Sequence, residues 1–163
     1  LCHDERLTCS YSKVESLSKG TNTDTDCELD RLQKTQNTAA RLIYKQPREN
    51  DITPTLKTLH WLPVTKRIEY KILLLTFKCL HDIAPSYLSS LLQQYVPPRP
   101  LRSSSCFLLR EHPTVKKYGD RAFFNCAPAL WNKLPRNIKQ CKSVKTFKNR
   151  LKTHLYEEAY DNS

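Results

Sequence analysis

The sequence has no methionine, only two glycines (Gly20 and Gly119) and no long apolar run. Two glycines leave almost nothing to populate the positive-φ positions of tight β-hairpin turns, so a meander of short strands is excluded. Ten prolines are present instead. That balance predicts helices separated by proline corners. The longest purely apolar run is Ile72 to Leu75, against the roughly 20 residues a helix needs to cross a bilayer, so neither a membrane span nor a membrane partner is expected. A glycine-rich phosphate loop and a Gly-x-Ser-x-Gly elbow are also missing, which removes the usual cradles for nucleotides and activated serines. After Asp51 the carboxylates are sparse and scattered (Glu69, Asp82, Glu111, Asp120, Glu157, Glu158 and Asp161), whereas two-metal phosphoryl transfer needs several converging on one point. No catalytic residue, cofactor or small-molecule substrate is expected, and the chain does not read as an enzyme.

At 163 residues the chain is long enough for one domain with a real core and too short for two full-sized ones. It starts on Leu with no basic stretch running into an apolar one, so no secretory signal is visible and the sequence reads as a piece of a longer frame. Seven cysteines, an odd number at irregular spacing, suit reduced thiols in an intracellular protein of the nucleus or cytoplasm. Cys2, His3, Cys9 and Cys27 lack the short closing spacing of a zinc knuckle. Cys79 and His81 stand two apart on a predicted helix and point in different directions. No metal is expected.

What is abundant is positive charge. The formal charge is +11, and residues 1–30 hold three basic against seven acidic side chains. Residues 31–163 therefore hold 24 basic and 9 acidic side chains, a net of +15. Such an imbalance attracts polyanions, nucleic acid before membrane because no amphipathic terminal anchor accompanies it.

Residues 1–28, ending in "SKGTNTDTDCE", read as a mobile leader or linker, residues 29–160 as the basic helical domain, and 161–163 as a tail. Leu29, Leu32, Gln36, Ala39, Ala40 and Ile43 share one helical face, with Lys34, Arg41 and Lys45 on another. Thr25 or Asp26 is the expected cap. Thr53-Pro54 opens a short helix, Pro63 closes a corner, and Thr65 is placed to cap the next helix. Over residues 66–81 that helix shows two apolar faces, Ile68/Ile72/Leu75/Cys79 and Tyr70/Leu73/Phe77/Leu80, as expected of a helix sandwiched between neighbours. Arg67, Lys71 and Lys78 line one polar stripe between them, Glu69 and Thr76 the other. Ala84-Pro85-Ser86 starts a helix through Leu88, Leu91, Leu92 and Tyr95, stopped by "VPPRP". An irregular loop with one extended segment follows, lined by Arg102, Arg110, Lys116, Lys117 and Arg121. "DRAFFNCAPALWNKLP" reads as one helix, or two broken near Pro128. Ser143 caps the last helix, with a seam of Val144, Phe147, Leu151 and Leu155. The expected fold is all-α, a compact bundle of about five to six helices.

In that last helix Lys145, Lys148 and Lys152 form a stripe beside the apolar seam, and Lys133, Arg136, Lys139 and Lys142 continue the positive run upstream. Trp61 with Pro63, and Trp131 with Pro135, mark two corners where a ring buries area and its N–H meets a carbonyl. His60 reads as a corner-packing or backbone-bonding residue rather than a base.

Five blocks in order, "QNTAARLIY", "ITPTLKTLHWLPVTKRIEYKILLLTFKCLHDIAPSYLSSLL", "PRPLRSS", "GDRAFFNCAPALWNKLP" and "SVKTFKNRLKTHLY", resemble the C-terminal region of reverse transcriptases of LINE-type retrotransposons, in the jockey-like group. The resemblance spans about residues 29–160. It implies a segment downstream of the polymerase palm in a polyprotein whose activity is RNA-directed DNA synthesis. The Phe/Tyr-x-Asp-Asp motif of that family is absent here, so no catalytic residue carries over. What carries over is a supporting role, holding RNA or DNA through phosphate contacts from Arg67, Lys71, Lys78, Lys145, Lys148 and Lys152. The alternatives are a helical module docking on the polymerase body, with the basic faces merely solvated, and a relic of the element without activity.

Overall fold

The computed structural model describes residues 23–96, 107–112 and 119–160. The leader up to residue 22 with Cys2, His3 and Cys9, the proline run from residue 97, Arg102, Lys116, Lys117 and the 161–163 tail lie outside the described residues. Within them the chain forms α1 (Thr23–Tyr44), α2 (Thr53–Thr58), α3 (Val64–Leu80), α4 (Ser86–Ser89), α5 (Phe123–Lys133), α6 (Arg136–Lys139) and α7 (Val144–Tyr160), with a 3-10 turn at Gly119–Arg121. No strand occurs among the described residues beyond one isolated antiparallel bridge, Gln94 with Leu109. The fold is all-α and compact, as expected. Seven helices occur among the described residues, because the proline corner at 135 starts an additional single turn, Arg136–Lys139. The first helix begins at Thr23, inside the stretch read as leader, so Thr25 and Asp26 stand within it rather than at its cap.

Three prolines set three corners with one geometry. Pro63, Pro85 and Pro135 occupy the N-cap positions of α3, α4 and α6 at φ −54°, −56° and −57° and ψ 154°, 141° and 146°. The ring fixes φ, and the extended ψ turns the incoming chain out of the helix axis. Pro54 sits in the first turn of α2, where the missing N–H costs nothing. The Thr53 N–H and hydroxyl both donate to Asp51 Oδ1 (3.1 and 3.0 Å), which satisfies the first N–H of the helix, while Ile52 at the N-cap position makes no side-chain cap bond.

α3 is the central element and runs antiparallel to α7. At one end Phe77 stacks on Phe147 with centroids 4.1 Å apart; at the other Lys66 Nζ reaches Glu158 at 2.9 Å. Leu62, Leu73, Phe77, Trp131, Leu134, Ile138, Phe147, Leu151 and Leu155 form one buried cluster. Each such side chain contributes about 1.5–3 kcal/mol of transfer free energy. The α7 seam is as expected, with Phe147, Leu151 and Leu155 buried and Val144 partly so. On α3 the Tyr70/Leu73/Phe77/Leu80 face meets this core. The opposite face is covered only in part: Cys79 is buried, whereas Ile68 remains 43% exposed. Thr76, placed by the sequence on a polar stripe, is fully buried and donates its hydroxyl to the Ile72 carbonyl at 2.9 Å.

One expectation is corrected. The helix after Pro85 ends at Ser89, and Tyr95 lies in extended chain, its N–H bonded to the Leu108 carbonyl at 2.9 Å while the Arg110 N–H bonds Gln93 at 2.8 Å. Of the two readings of the Pro128 segment, the single helix is the one observed: α5 runs through Pro128. That helix is held from outside: the Trp131 indole donates to the Phe107 carbonyl, and the Asn132 amide both accepts from the Leu109 N–H and donates to its carbonyl, all at 2.9 Å. The side chain of Asn132 thus pairs with the 107–110 segment as a neighbouring strand would.

Candidate nucleic-acid interface

The "HWLP" corner fixes where α3 begins. The Val64 N–H donates to Gln33 Oε1 of α1 at 2.9 Å, so the helix is capped by a distant glutamine and not by Thr65. Gln36 Nε2 donates to the Leu62 carbonyl at 2.9 Å. From α7, Tyr160 Oη donates to the Trp61 carbonyl at 2.6 Å and Tyr156 Oη to the Lys57 carbonyl at 3.0 Å. Trp61 is half-buried against the small cluster of Ala40, Leu56 and Tyr160, with the Arg67 guanidinium 5.9 Å from its ring centroid. His60 places Nδ1 3.1 Å from the Thr58 carbonyl and stacks on Tyr156, a structural part of the corner. Trp131 is the fully buried counterpart, 1% exposed. Pro63 and Pro135 cap helices at both corners, as described above.

Of the six expected phosphate-contacting residues, Arg67, Lys71, Lys145, Lys148 and Lys152 are exposed and Lys78 is half-buried. Among the described residues none of the six pairs with a carboxylate; the ion pairs are Arg31 with Glu28 and Lys66 with Glu69 and Glu158. Their relative placement follows from helix geometry. On α3, Arg67, Lys71 and Lys78 lie within about 40° of one another and roughly 100° round from Phe77 at 100° per residue. On α7, Lys145, Lys148 and Lys152 lie about 130° round from Phe147 in the same rotational sense. Because the two helices are antiparallel and face each other through those phenylalanines, the same sense of rotation carries both stripes to the same side of the pair. Glu69 and Glu157 turn to the other side by the same reckoning.

Of the upstream run, Lys139 does not join this surface. It is buried and donates Nζ to the Asn132 carbonyl at 2.9 Å, closing the end of α5. Lys133 faces a different neighbourhood. Burial lowers its pKa, and the charges of Glu69, Glu158 and Glu111 only partly restore it. Lys142 is exposed.

A second cationic feature lies on α1. Lys34, Arg41, Lys45 and Arg48, with Asn37, Thr38, Leu42 and Gln46, line an open groove of about 440 Å³. The sequence placed Lys34, Arg41 and Lys45 on one face, but assigned them no role. Arg48 lies past the helix end, where periodicity gives no signal.

Among the described residues no group of three His, Cys, Asp or Glu side chains could hold a metal ion. Cys79 is buried with its thiol pKa pushed up by that burial, while His81 is exposed with its ring 4.2 Å from that of Phe77. No helix among the described residues is long and apolar enough to cross a membrane. Comparison with family models, with curated proteins and with solved structures gives no match for this chain.

Proposed function

We propose that this chain is a non-catalytic nucleic-acid-binding domain, the C-terminal region of a LINE-type reverse transcriptase that its sequence blocks resemble, and that it holds template RNA or target DNA beside the polymerase. The observation that carries the reading is the set of six cations, unpaired with carboxylates, on one side of the α3–α7 pair. A phosphate backbone is the ligand such a surface suits, since each neutralised phosphate releases condensed counterions. Recognition is therefore electrostatic and shows little base preference.

The test is fluorescence-anisotropy binding of the full chain to labelled single-stranded RNA, duplex DNA and nicked duplex at two salt concentrations. Affinity falls steeply with salt, and replacing Lys145, Lys148 and Lys152 by Glu weakens binding to every probe by about tenfold or more. An unaltered affinity in a triple variant that melts like the parent sinks the assignment. A second reading, a module docked on the polymerase body, is favoured by apolar side chains left uncovered on α1 and α3 outside the α1 groove: Leu32, Ile43 and Ile68 are 54%, 57% and 43% exposed. The two readings concern different faces and are compatible.

A further inference from the structure

We infer that the α1 groove is a second, separate nucleic-acid site, so that one copy of the domain holds two strands at once; this rests on the nucleic-acid reading proposed above. The groove shares no residue with the α3–α7 face. Its helical cations Lys34, Arg41 and Lys45 lie roughly 140–180° round α1 from Gln36, the side chain that binds α1 to the Leu62 corner. Lys34 and Lys45 are exposed there, whereas Arg41 is partly buried against the loop that follows α1.

Four cations and no carboxylate line the groove, together with the neutral donors Asn37, Thr38 and Gln46. Attraction to the negative end of the α1 dipole accounts for cations near Tyr44. It does not account for Lys34, almost three turns earlier. The shape selects among anions. From Lys34 to Lys45 the stripe extends about 16 Å along the axis, longer than a single phosphate needs and suited to consecutive phosphates of an extended strand. Arg41 is held in place within the groove, because its Nη2 donates to the Asn50 carbonyl at 3.0 Å and so fixes the loop that forms one wall. Its Nε is buried and has no partner among the described residues. Gln46 is likewise fixed, its Oε1 accepting from the Thr55 hydroxyl at 2.7 Å, which leaves its amide N–H₂ available.

Two sites on one chain make a measurable difference, because a domain with one site cannot link two strands. An oligonucleotide is fixed on beads, the full chain is added, and capture of a second, labelled, non-complementary oligonucleotide is measured. Wild type captures it. The variant Lys34→Glu/Lys45→Glu/Arg48→Glu, all at exposed positions and leaving Arg41 in place, still binds the first strand but captures at least about tenfold less of the second. The Lys145→Glu/Lys148→Glu/Lys152→Glu variant loses capture likewise. If wild type binds single strands but captures none, or if the groove variant captures as wild type does, the second site is refuted and the α3–α7 face stands; a dimer with one site per copy would give the latter result. Absence of any binding by wild type overturns both readings.

Discussion

Lys45, His60 and Asp82 sit at φ 50°, 52° and 55°, the left-handed region that glycine enters most readily. Each follows the end of a helix, and in each case the next N–H reaches back five residues: Gln46 to Arg41 at 3.1 Å, Trp61 to Leu56 at 3.0 Å, Ile83 to Lys78 at 2.9 Å. This is the Schellman closure, which usually places glycine at the turning residue. A chain with two glycines makes it three times with side chains that cost about 1–2 kcal/mol each in this region. Lys45→Gly is therefore expected to raise unfolding stability by about 1 kcal/mol, even as it removes a groove cation, and Asp82→Gly by less because Asp tolerates the region better. His60→Gly gains nothing, since the ring is engaged with Thr58 and Tyr156. Urea melts of the three variants decide it: a lower midpoint for Lys45→Gly would contradict the account.

At the scale of elements, the last turn of α7 locks the α2 corner through long-range hydrogen bonds. Tyr160→Phe deletes only the bond to the Trp61 carbonyl and is expected to cost about 1 kcal/mol. Asn132→Ala should cost about 2 kcal/mol, because it strands both the N–H and the carbonyl of buried Leu109; equal melting shifts for the two variants would show that the strand-like pairing carries no extra weight. These contacts also mark the limit of what the sequence discloses. The α3 and α7 helices, their apolar seams and the proline corners are readable because each depends on neighbours within a few turns. Gln36 stands on the apolar face of α1 in the sequence pattern, but only the folded chain shows that it bonds the Leu62 carbonyl, and that Gln33 takes the cap assigned to Thr65. The extended chain after α4, paired by the Gln94–Leu109 bridge, and the bonds of Asn132 to Leu109 join residues far apart in sequence, pairings no local pattern encodes. Likewise the two lysine and arginine stripes are visible on helical wheels, while their common side follows only from the antiparallel packing of α3 on α7.

For the molecule as a whole, the titrating groups place the loss of stability on the alkaline side. Burial raises the pKa of Tyr70 and, with Tyr156 nearby, that of Tyr160; it raises those of Cys79, against the Ser89 hydrogen bond, and Cys126. For Lys66, burial opposes the charge, but the hydrogen bond to Glu158 and the charge and hydrogen bond of Glu69 prevail, and the pKa is raised. All five groups hold a proton more tightly folded than unfolded. Their contribution is full below the unfolded values, about 8.5 for Cys and 10 to 10.4 for Tyr and Lys, and is lost as pH rises through the folded ones. Lys133, lowered by burial, acts in the opposite direction, its cost fading as pH rises, but it stands alone against five. On the acid side Asp51 is lowered by its bonds to Thr53, so its support is full above about pH 4 and is lost as pH falls through the folded value. Urea-measured stability is therefore expected to be flat near neutrality and to decline above about pH 9. Lys66→Met should flatten the part of that decline nearest pH 10.5 without removing the earlier part due to the thiols. A stability that rises between about pH 9 and 11 in the parent chain would mean that Lys133 outweighs the other five groups, and that the Lys66 network linking α3 to α7 is not closed in solution.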